Sequence, residues 1–573
     1  MPIMLNKPQI ARQPAPCLFR RGGNRVIKIQ FLLLFLLFCI ASCSPGPEKP
    51  EILFLITLDT TRADSIQYNQ QFNSATPNLA GLAAAGFYGR NAYSLIPITL
   101  PAHAAMFFSQ PPHQLKIYNN SQPREITSPS LAQILKGNGF LTGAVISLGV
   151  MKAEFGMAKG FDEYIENFRP FLWIRSGAEV TEDAIALIKK TEERKKAGQK
   201  SFYWIHYSDP HEPYFPKASD GHFSINLQNR NIFRCLSIEQ PAVNLEFELA
   251  PGINQLDMEA VLPEILADYP EFSFHFLQFQ NFSLQPVEPS ETPLKIDFPA
   301  SWKSRVERNS THYYSTELKS TLNIKNLSLN PVKVRLEFVY SLYADEDARK
   351  LFYADEIKYM DAQIGVLLDF LKKRGLAQKA AYVVVGDHGE GLGEYRGHFG
   401  HIHYLNRVYT QVPLIVSGVG VKKRSVKEEV ITILDVAPTI LELAGIKTPR
   451  TMLGKSLLSE QNRPHTVLLE TYSPEAYFDS FSLLRYPWQV IFNPGFSSGV
   501  LQFINLEEDQ FGVIDLNPDN DPGRFFESDE TKEIRRELIQ EVLKISRIIT
   551  ATKGKAGKPS QRHQEILRSL GYL

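Results

Sequence analysis

The 573-residue chain is too long for one hydrophobic core and predicts about two to four domains. Its apolar share of 43% and charged share of 22% are those of an ordinary globular protein. Lys and Arg together number 62, as do Asp and Glu, which excludes the basic excess of a general nucleic-acid binder.

The first segment is a targeting pattern. Arg20, Arg21, Arg25 and Lys28 precede the apolar run Phe31 to Ile40 (FLLLFLLFCI), and Ala41, Ser42 and Cys43 follow. A basic stretch, a short apolar run and small residues form a secretory signal layout. The run is shorter than the about 20 apolar residues that a membrane span needs; an uncleaved anchor helix is the alternative. Ile40-Ala41-Ser42-Cys43 is similar to a bacterial lipobox, with Cys43 as the lipidated first residue of the mature chain. Acyl chains add about 0.8 kcal/mol of membrane affinity per buried CH₂. Arg20-Arg21 matches a twin-arginine signal, but the residues after it fit poorly. The expectation is export across the inner membrane and lipid anchoring in the cell envelope, periplasmic or on the outer surface, with residues 1–43 as the signal peptide. Mass spectrometry of the mature N-terminus tests it: an acylated Cys43 is expected, and a bare Cys43 or a different start excludes it. Of Cys17, Cys39, Cys43 and Cys235, only the last two survive such cleavage, so no structural disulfide is expected.

Glu51 to Leu58 (EILFLITL) is apolar on every side and ends in Asp59, which predicts a central strand of a parallel sheet. Thr76-Pro77-Asn78 starts a helix through Leu79, Leu82 and Ala85, and Ser130 to Lys136 predicts another. Thr142 to Ile146 is a strand, Thr181 to Glu193 a helix, and Ser201 to His206 (SFYWIH) a strand. Between about 217 and 345 the rhythm breaks: alternating segments such as Val243 to Leu249 and Val332 to Val339 predict antiparallel strands of a β-rich insertion. Asp355 to Lys373 sets Ile357, Met360, Ile364, Leu367, Leu368 and Leu371 at helical spacing. Ala380 to Val385 is a strand running into Gly386-Asp387-His388, and Val412 to Val416 is another. Ser482 to Tyr486, Trp488 to Phe492 and Leu501 to Asn505 read as a small sheet, with a helix from Thr531 to Ile548. This alternation predicts an α/β class: a mixed, mostly parallel sheet flanked by helices. The domain plan is a core in two parts, 50–216 and 346–464, around an insertion at 217–345, then a small C-terminal α/β subdomain at 465–573.

Asp59, Asp209 with His211, and Asp387-His388 all follow apolar strands. Open α/β sheets place their sites beyond the carboxyl ends of strands, so these positions are expected to converge. Asp and His together suit Zn²⁺, Mn²⁺ or Fe, and carboxylates with few His suit Ca²⁺ or Mg²⁺.

Leu58-Asp59-Thr60-Thr61-Arg62-Ala63-Asp64, Thr76-Pro77-Asn78-Leu79 and Ile98-Thr99-Leu100-Pro101-Ala102-His103-Ala104 resemble the amino-terminal signature of the sulfatase family, within the alkaline phosphatase/sulfatase superfamily. So do His206-Tyr207-Ser208-Asp209-Pro210-His211-Glu212-Pro213-Tyr214, Gly386-Asp387-His388-Gly389-Glu390-Gly391-Leu392-Gly393-Glu394 and Ile433-Leu434-Asp435-Val436-Ala437-Pro438-Thr439. The closing Leu570-Gly571-Tyr572-Leu573 is similar to the end of one branch. The motifs come in family order and cover about residues 52–215 and 345–450 and the C-terminal part, not the insertion.

The resemblance implies an alkaline-phosphatase-type fold and a divalent metal (Ca, Mn, Mg or Zn; one ion or two) on Asp59, Asp387 and His388, with Thr99 as nucleophile and further ligand. It also implies a second group, Asp209, His211 and His401, which holds a second ion or contacts and protonates the ester; His403 is the rival of His401, and His206 a weaker candidate. His398 and His113 read as surface residues. Thr99 precedes Leu100-Pro101 and is expected at a helix N-terminus, where the dipole favours an oxyanion; a plain N-cap is the other reading. Typical sulfatases carry Cys or Ser, converted to formylglycine, where this chain has Thr99, and Arg where it has His103. Their Lys- and His-bearing sulfate-contacting segment is replaced by Gly143-Ala144-Val145-Ile146-Ser147. The expected activity is hydrolysis of a sulfate or phosphate ester of a small molecule, glycan or lipid head group through a Thr99 intermediate. Phosphorus esters are expected to react at least as well as sulfate esters. The rivals are a phosphodiesterase or phosphoryl-group transferase acting on envelope glycans or lipids, and a non-catalytic envelope-binding lipoprotein.

Overall fold

In the computed structural model of the protein, the described residues run from Lys49 to Lys553, apart from 70–74, 121–125, 169–172, 213, 215–221, 237–241, 262–275, 289–293, 308–309, 316–318, 344–345, 424–425, 460–465, 473–478, 495–499 and 522–526. The signal and lipobox reading and the closing Leu-Gly-Tyr-Leu lie outside them. No helix among the described residues is long and apolar enough to cross a membrane.

The run ILFLITL forms strand β1 (Ile52–Leu58), buried at every residue, as only a strand covered on both faces can be. Its sheet also contains β2 (Phe87–Tyr93), β3 (Leu141–Val145), β4 (Glu163–Ile165), β5 (Ser201–Tyr207), β6 (Ala380–Gly386), β7 (Leu414–Gly418) and β8 (Lys427–Thr432), in the order β8-β2-β7-β6-β1-β5-β3-β4. Five of the seven pairings are parallel; β7 runs antiparallel to both β6 and β2. This is the mixed, mostly parallel sheet expected.

Alternate residues of β1 feed two cores. Leu53 and Leu55 pack with Leu100, Ala104 and Phe107 and with Ile440 and Leu441, which belong to helices α2 (Thr99–Phe108) and α6 (Val436–Ala444). Ile52, Phe54 and Ile56 pack with Leu79 of α1 (Pro77–Ala85), with Val180, Ala184 and Leu187 of α4 (Gly177–Arg194), and with Ile357, Ile364 and Leu371 of α5 (Glu346–Lys373). Helix α3 (Leu131–Gly137) completes the first layer through Leu131 and Leu135. Each Leu or Ile buried in these layers contributes about 1.5–3 kcal/mol.

Between β5 and α5 the chain builds two five-stranded antiparallel sheets around a separate core of Phe223, Ile225, Leu256, Phe279, Leu322, Leu336 and Phe338. Near the C-terminus, β9 (Val467–Thr471), β10 (Ser480–Arg485), β11 (Trp488–Asn493) and β12 (Val500–Asn505) form an antiparallel sheet, followed by α7 (Asp529–Thr552). Strand β9 reaches the loops that carry the site: Glu470 N–H donates to Leu95 O at 2.8 Å, and Thr471 Oγ1 to Ile402 O.

Candidate metal and nucleophile site

Register brings the site together. Leu58 of β1 pairs with Tyr207 of β5 and with Gly386 of β6, so the residues just beyond these three strands emerge at one edge. One ligand atom from each of Asp59, Asp387 and His388 lies within 4.8 Å of the other two, and all three residues are buried. No other such group occurs among the described residues.

Each carboxylate is half satisfied. Asp387 Oδ1 accepts from the N–H groups of Thr60 at 3.2 Å and His388 at 2.7 Å, while its Oδ2 is buried without a hydrogen-bond partner. Asp59 Oδ2 meets His206 Nε2 at 3.2 Å, and its Oδ1 has no partner. A buried orphan carboxylate oxygen is costly unless a cation faces it. His388 Nδ1–H donates to Gly389 O at 3.0 Å, which leaves the Nε2 lone pair facing Thr99 Oγ1 at 3.4 Å. Two donors on one tetrahedral ion at about 2.1 Å lie about 3.4 Å apart, so this spacing also fits a shared ion. Burial, then the charge of Asp59, pushes the Asp387 carboxyl well above the usual range, so a cation between the two acids would be favoured. The donor set therefore fits a divalent ion.

Thr99 is the first residue of α2; Ile98 holds the cap position and no side chain caps the helix. The plain N-cap role does not apply to the Thr99 hydroxyl. His103, one turn on, donates Nδ1–H to Thr99 O at 2.9 Å and lies 3.6 Å from Asp387 Oδ2. Asn120 accepts the Leu100 N–H at 2.9 Å through Oδ1, and its buried Nδ2 has no partner. Sequence reading missed Asn120, because its only signal is a contact across a loop with the first turn of α2.

His211 donates Nδ1–H to Glu212 O at 2.7 Å, and His401 donates Nδ1–H to Glu390 Oε2 at 2.7 Å. The two rings lie together: the His401 ring centroid is 4.5 Å from that of His388 and 5.2 Å from that of His211. Glu390, also missed as a separate group, is fully buried and takes the Tyr214 hydroxyl on Oε1. Asp209, expected to act with His211 and His401, turns Oδ1 to the N–H of Gly177, 2.8 Å away at the first residue of α4. The dipole of that helix holds the carboxylate there. His403 faces His398 and Tyr404 rather than His388. His113, read as a surface residue, is tied to buried Glu470 by its N–H at 2.9 Å and by Nδ1 at 3.0 Å. Burial pushes His103, His206 and His401 down to about 3 and His211 to about 4, so these imidazoles are neutral near pH 7.

Two features lock the loops. Buried Arg62 bridges Asp64 at 2.6 Å and Glu394 at 2.5 Å, joining the loop after β1 to the loop after β6. Ile402, beside His401, holds φ +84°, strained for a β-branched residue, with its N–H on Pro97 O at 3.1 Å.

The sulfatase family model matches residues 51–446, and the model described as N-sulphoglucosamine sulphohydrolase, C-terminal, matches residues 396–547. Arylsulfatase K of Bos taurus is 24% identical over 220 residues, 36% of this chain and 37% of that protein. The match thus spans little more than a third of that relative's length. A sulfatase of Formosa agariphila is 23% identical over 473 residues, 78% of this chain and 80% of the relative. An N-acetylglucosamine-6-O-sulfatase of Bacteroides thetaiotaomicron is 23% identical over 447 residues, 73% and 72%. Among solved structures, a protein in complex with its substrate D-glucosamine-2-N,6-O-disulfate superposes with TM-score 0.55 at 13% identity, covering 90% of this chain and all of that one. The phosphonate monoester hydrolase of Agrobacterium radiobacter does so with TM-score 0.54 at 12% identity, covering 87% and 96%. With the family model spanning more than half of its residues, on a matching fold, the chain belongs to the sulfatase family.

Proposed function

We propose that the protein hydrolyses a monoanionic ester, foremost a sulfate monoester on a sugar, with Thr99 as nucleophile. The observation that carries this reading is the Thr99 hydroxyl at the start of α2, 3.4 Å from His388 Nε2 and beside two half-satisfied carboxylates. Thr99 Oγ1 attacks sulfur, the bond from sulfur to the sugar oxygen breaks, and the sugar leaves as its alcohol with the proton that Thr99 gives up. His211 and His401, both neutral and with ring centroids 5.2 Å apart, are the candidates to relay that proton. Water then attacks sulfur, returning the Thr99 hydroxyl and releasing sulfate. A divalent ion on Asp59, Asp387, His388 and Thr99 would supply charge neutralisation and a lowered hydroxyl pKa.

Charge argues for a monoanion. His103 replaces a fixed arginine cation with a neutral ring, and two carboxylates offset one divalent ion. A dianionic phosphate monoester therefore finds less compensation here than a sulfate monoester or a phosphodiester. The names of the sugar-sulfatase relatives favour a sulfated amino sugar. Thr99 itself favours a second reading, a phosphodiester or phosphonate monoester. Formylglycine expels sulfate by collapse to an aldehyde, which a threonyl sulfate cannot do, whereas a threonyl ester of phosphorus is opened by water at phosphorus. A screen of 4-nitrophenyl sulfate, glucosamine 6-sulfate, bis-4-nitrophenyl phosphate and 4-nitrophenyl phosphate on Mn²⁺- and Ca²⁺-loaded protein decides. Turnover of either monoanionic class is expected. Preference for the phosphate monoester overturns the charge argument, and inertness towards all four overturns the reading.

A further inference from the structure

His206 is absorbed neither by the nucleophile nor by the histidine pair, yet it is buried against the metal group. It lies on β5, in register with Thr57 of β1, one residue before the strand end. Its Nδ1 lies 2.8 Å from Ser147 Oγ and accepts the Ser147 N–H at 3.3 Å. A backbone N–H can only donate, so Nδ1 carries the lone pair and Nε2 the hydrogen. That hydrogen points at Asp59 Oδ2, 3.2 Å away.

We propose that His206, with its tautomer set by Ser147, is a positioning residue that occupies Asp59 Oδ2 and so presents Oδ1 alone to the cation. The inference rests on the metal reading of Asp59, Asp387 and His388. The two carboxylates become counterparts: backbone N–H groups of Thr60 and His388 hold one oxygen of Asp387, and an imidazole N–H holds one oxygen of Asp59. Asp59 leaves its strand with no second donor on Oδ1, so without His206 the carboxylate is free to rotate or to chelate through both oxygens. Hydrogen bonds behind metal ligands are worth about 10–100-fold in affinity. Packing keeps the ring in place, with Trp204 at 6.1 Å and His103 at 4.9 Å between centroids. Ser147 stands in the segment where typical family members carry charged sulfate contacts, so that stretch here supports a ligand instead.

Affinity for Mn²⁺, read as free Mn²⁺ by electron paramagnetic resonance during titration of the full chain, tests the inference without turnover. His206→Phe should weaken Mn²⁺ binding by about 10–100-fold; the metal-free protein should still fold, melting somewhat below the parent because Asp59 loses its donor on Oδ2. His206→Gln, whose amide can still donate to Asp59, should stay within about threefold, and His206→Asn, too short to reach, should behave like His206→Phe. Ser147→Ala keeps the backbone N–H and should also stay within about threefold. If His206→Phe does not fold, the Gln and Asn pair decides. Parent-like affinity in His206→Phe or His206→Asn overturns the role of His206 alone, whereas no Mn²⁺ binding by the parent overturns the metal site itself.

Discussion

Asp387→Asn is expected to purify with at least about 100-fold lower affinity for divalent metal than the parent, and without measurable turnover. The substitution is nearly isosteric and keeps Oδ1 as acceptor for the Thr60 and His388 N–H groups, so the loop after β6 holds its shape. It replaces the orphan Oδ2 with an amide that donates hydrogen bonds and binds metals poorly. The metal-free protein should be no less stable, because burial and the charge of Asp59 already disfavour the ionised Asp387 carboxyl. Elemental analysis of the purified variant and thermal melts with and without chelator measure both effects. Full metal content in Asp387→Asn would remove this residue from the ligand set.

Thr99→Ala is expected to lower kcat by about 10³-fold or more, as loss of a nucleophile does, while metal content falls little. Asp59, Asp387 and His388, the candidate ligands, remain, and the hydroxyl caps no helix, so the stability change should be small. Thr99→Ser keeps the hydroxyl at the start of α2 and should retain a measurable rate. If the covalent ester forms, trapping with the slower ester of the screen should add the mass of sulfate or phosphate to the side chain at this position in the parent and in Thr99→Ser. Thr99→Ala should gain no such mass. Near-normal turnover by Thr99→Ala would refute the nucleophile.

Much of the site was legible because continuous apolar runs are one-dimensional signals. EILFLITL, SFYWIH and AAYVVVG must be buried on all sides, and the polar residue that ends each run must sit at a sheet edge. Those runs point to Asp59, Asp209 with His211, and Asp387-His388; the resemblance to the sulfatase family is what implied Asp59, Asp387 and His388 as the metal set. Direction was not legible for β7, since an apolar strand reads the same parallel or antiparallel, and only its pairing with β6 and β2 fixed it.

What the sequence by itself determined was the fold class, the strand ends and the residue types gathered there, because burial and alternation are properties of neighbouring residues. Only the tertiary structure decided which donor meets which acceptor. It tied the Asp209 carboxylate to the first N–H of α4, turned the His401 ring towards His388 and that of His403 towards His398, and put His206 behind Asp59. It also placed Asn120 on the first turn of α2 and bound Glu390 to His401. Each of these pairings joins residues on different elements, and its distance depends on sheet register and helix start to within one residue. No pattern along the chain carries that information, because the hydrogen bond is chosen by where the strands and helices finally pack.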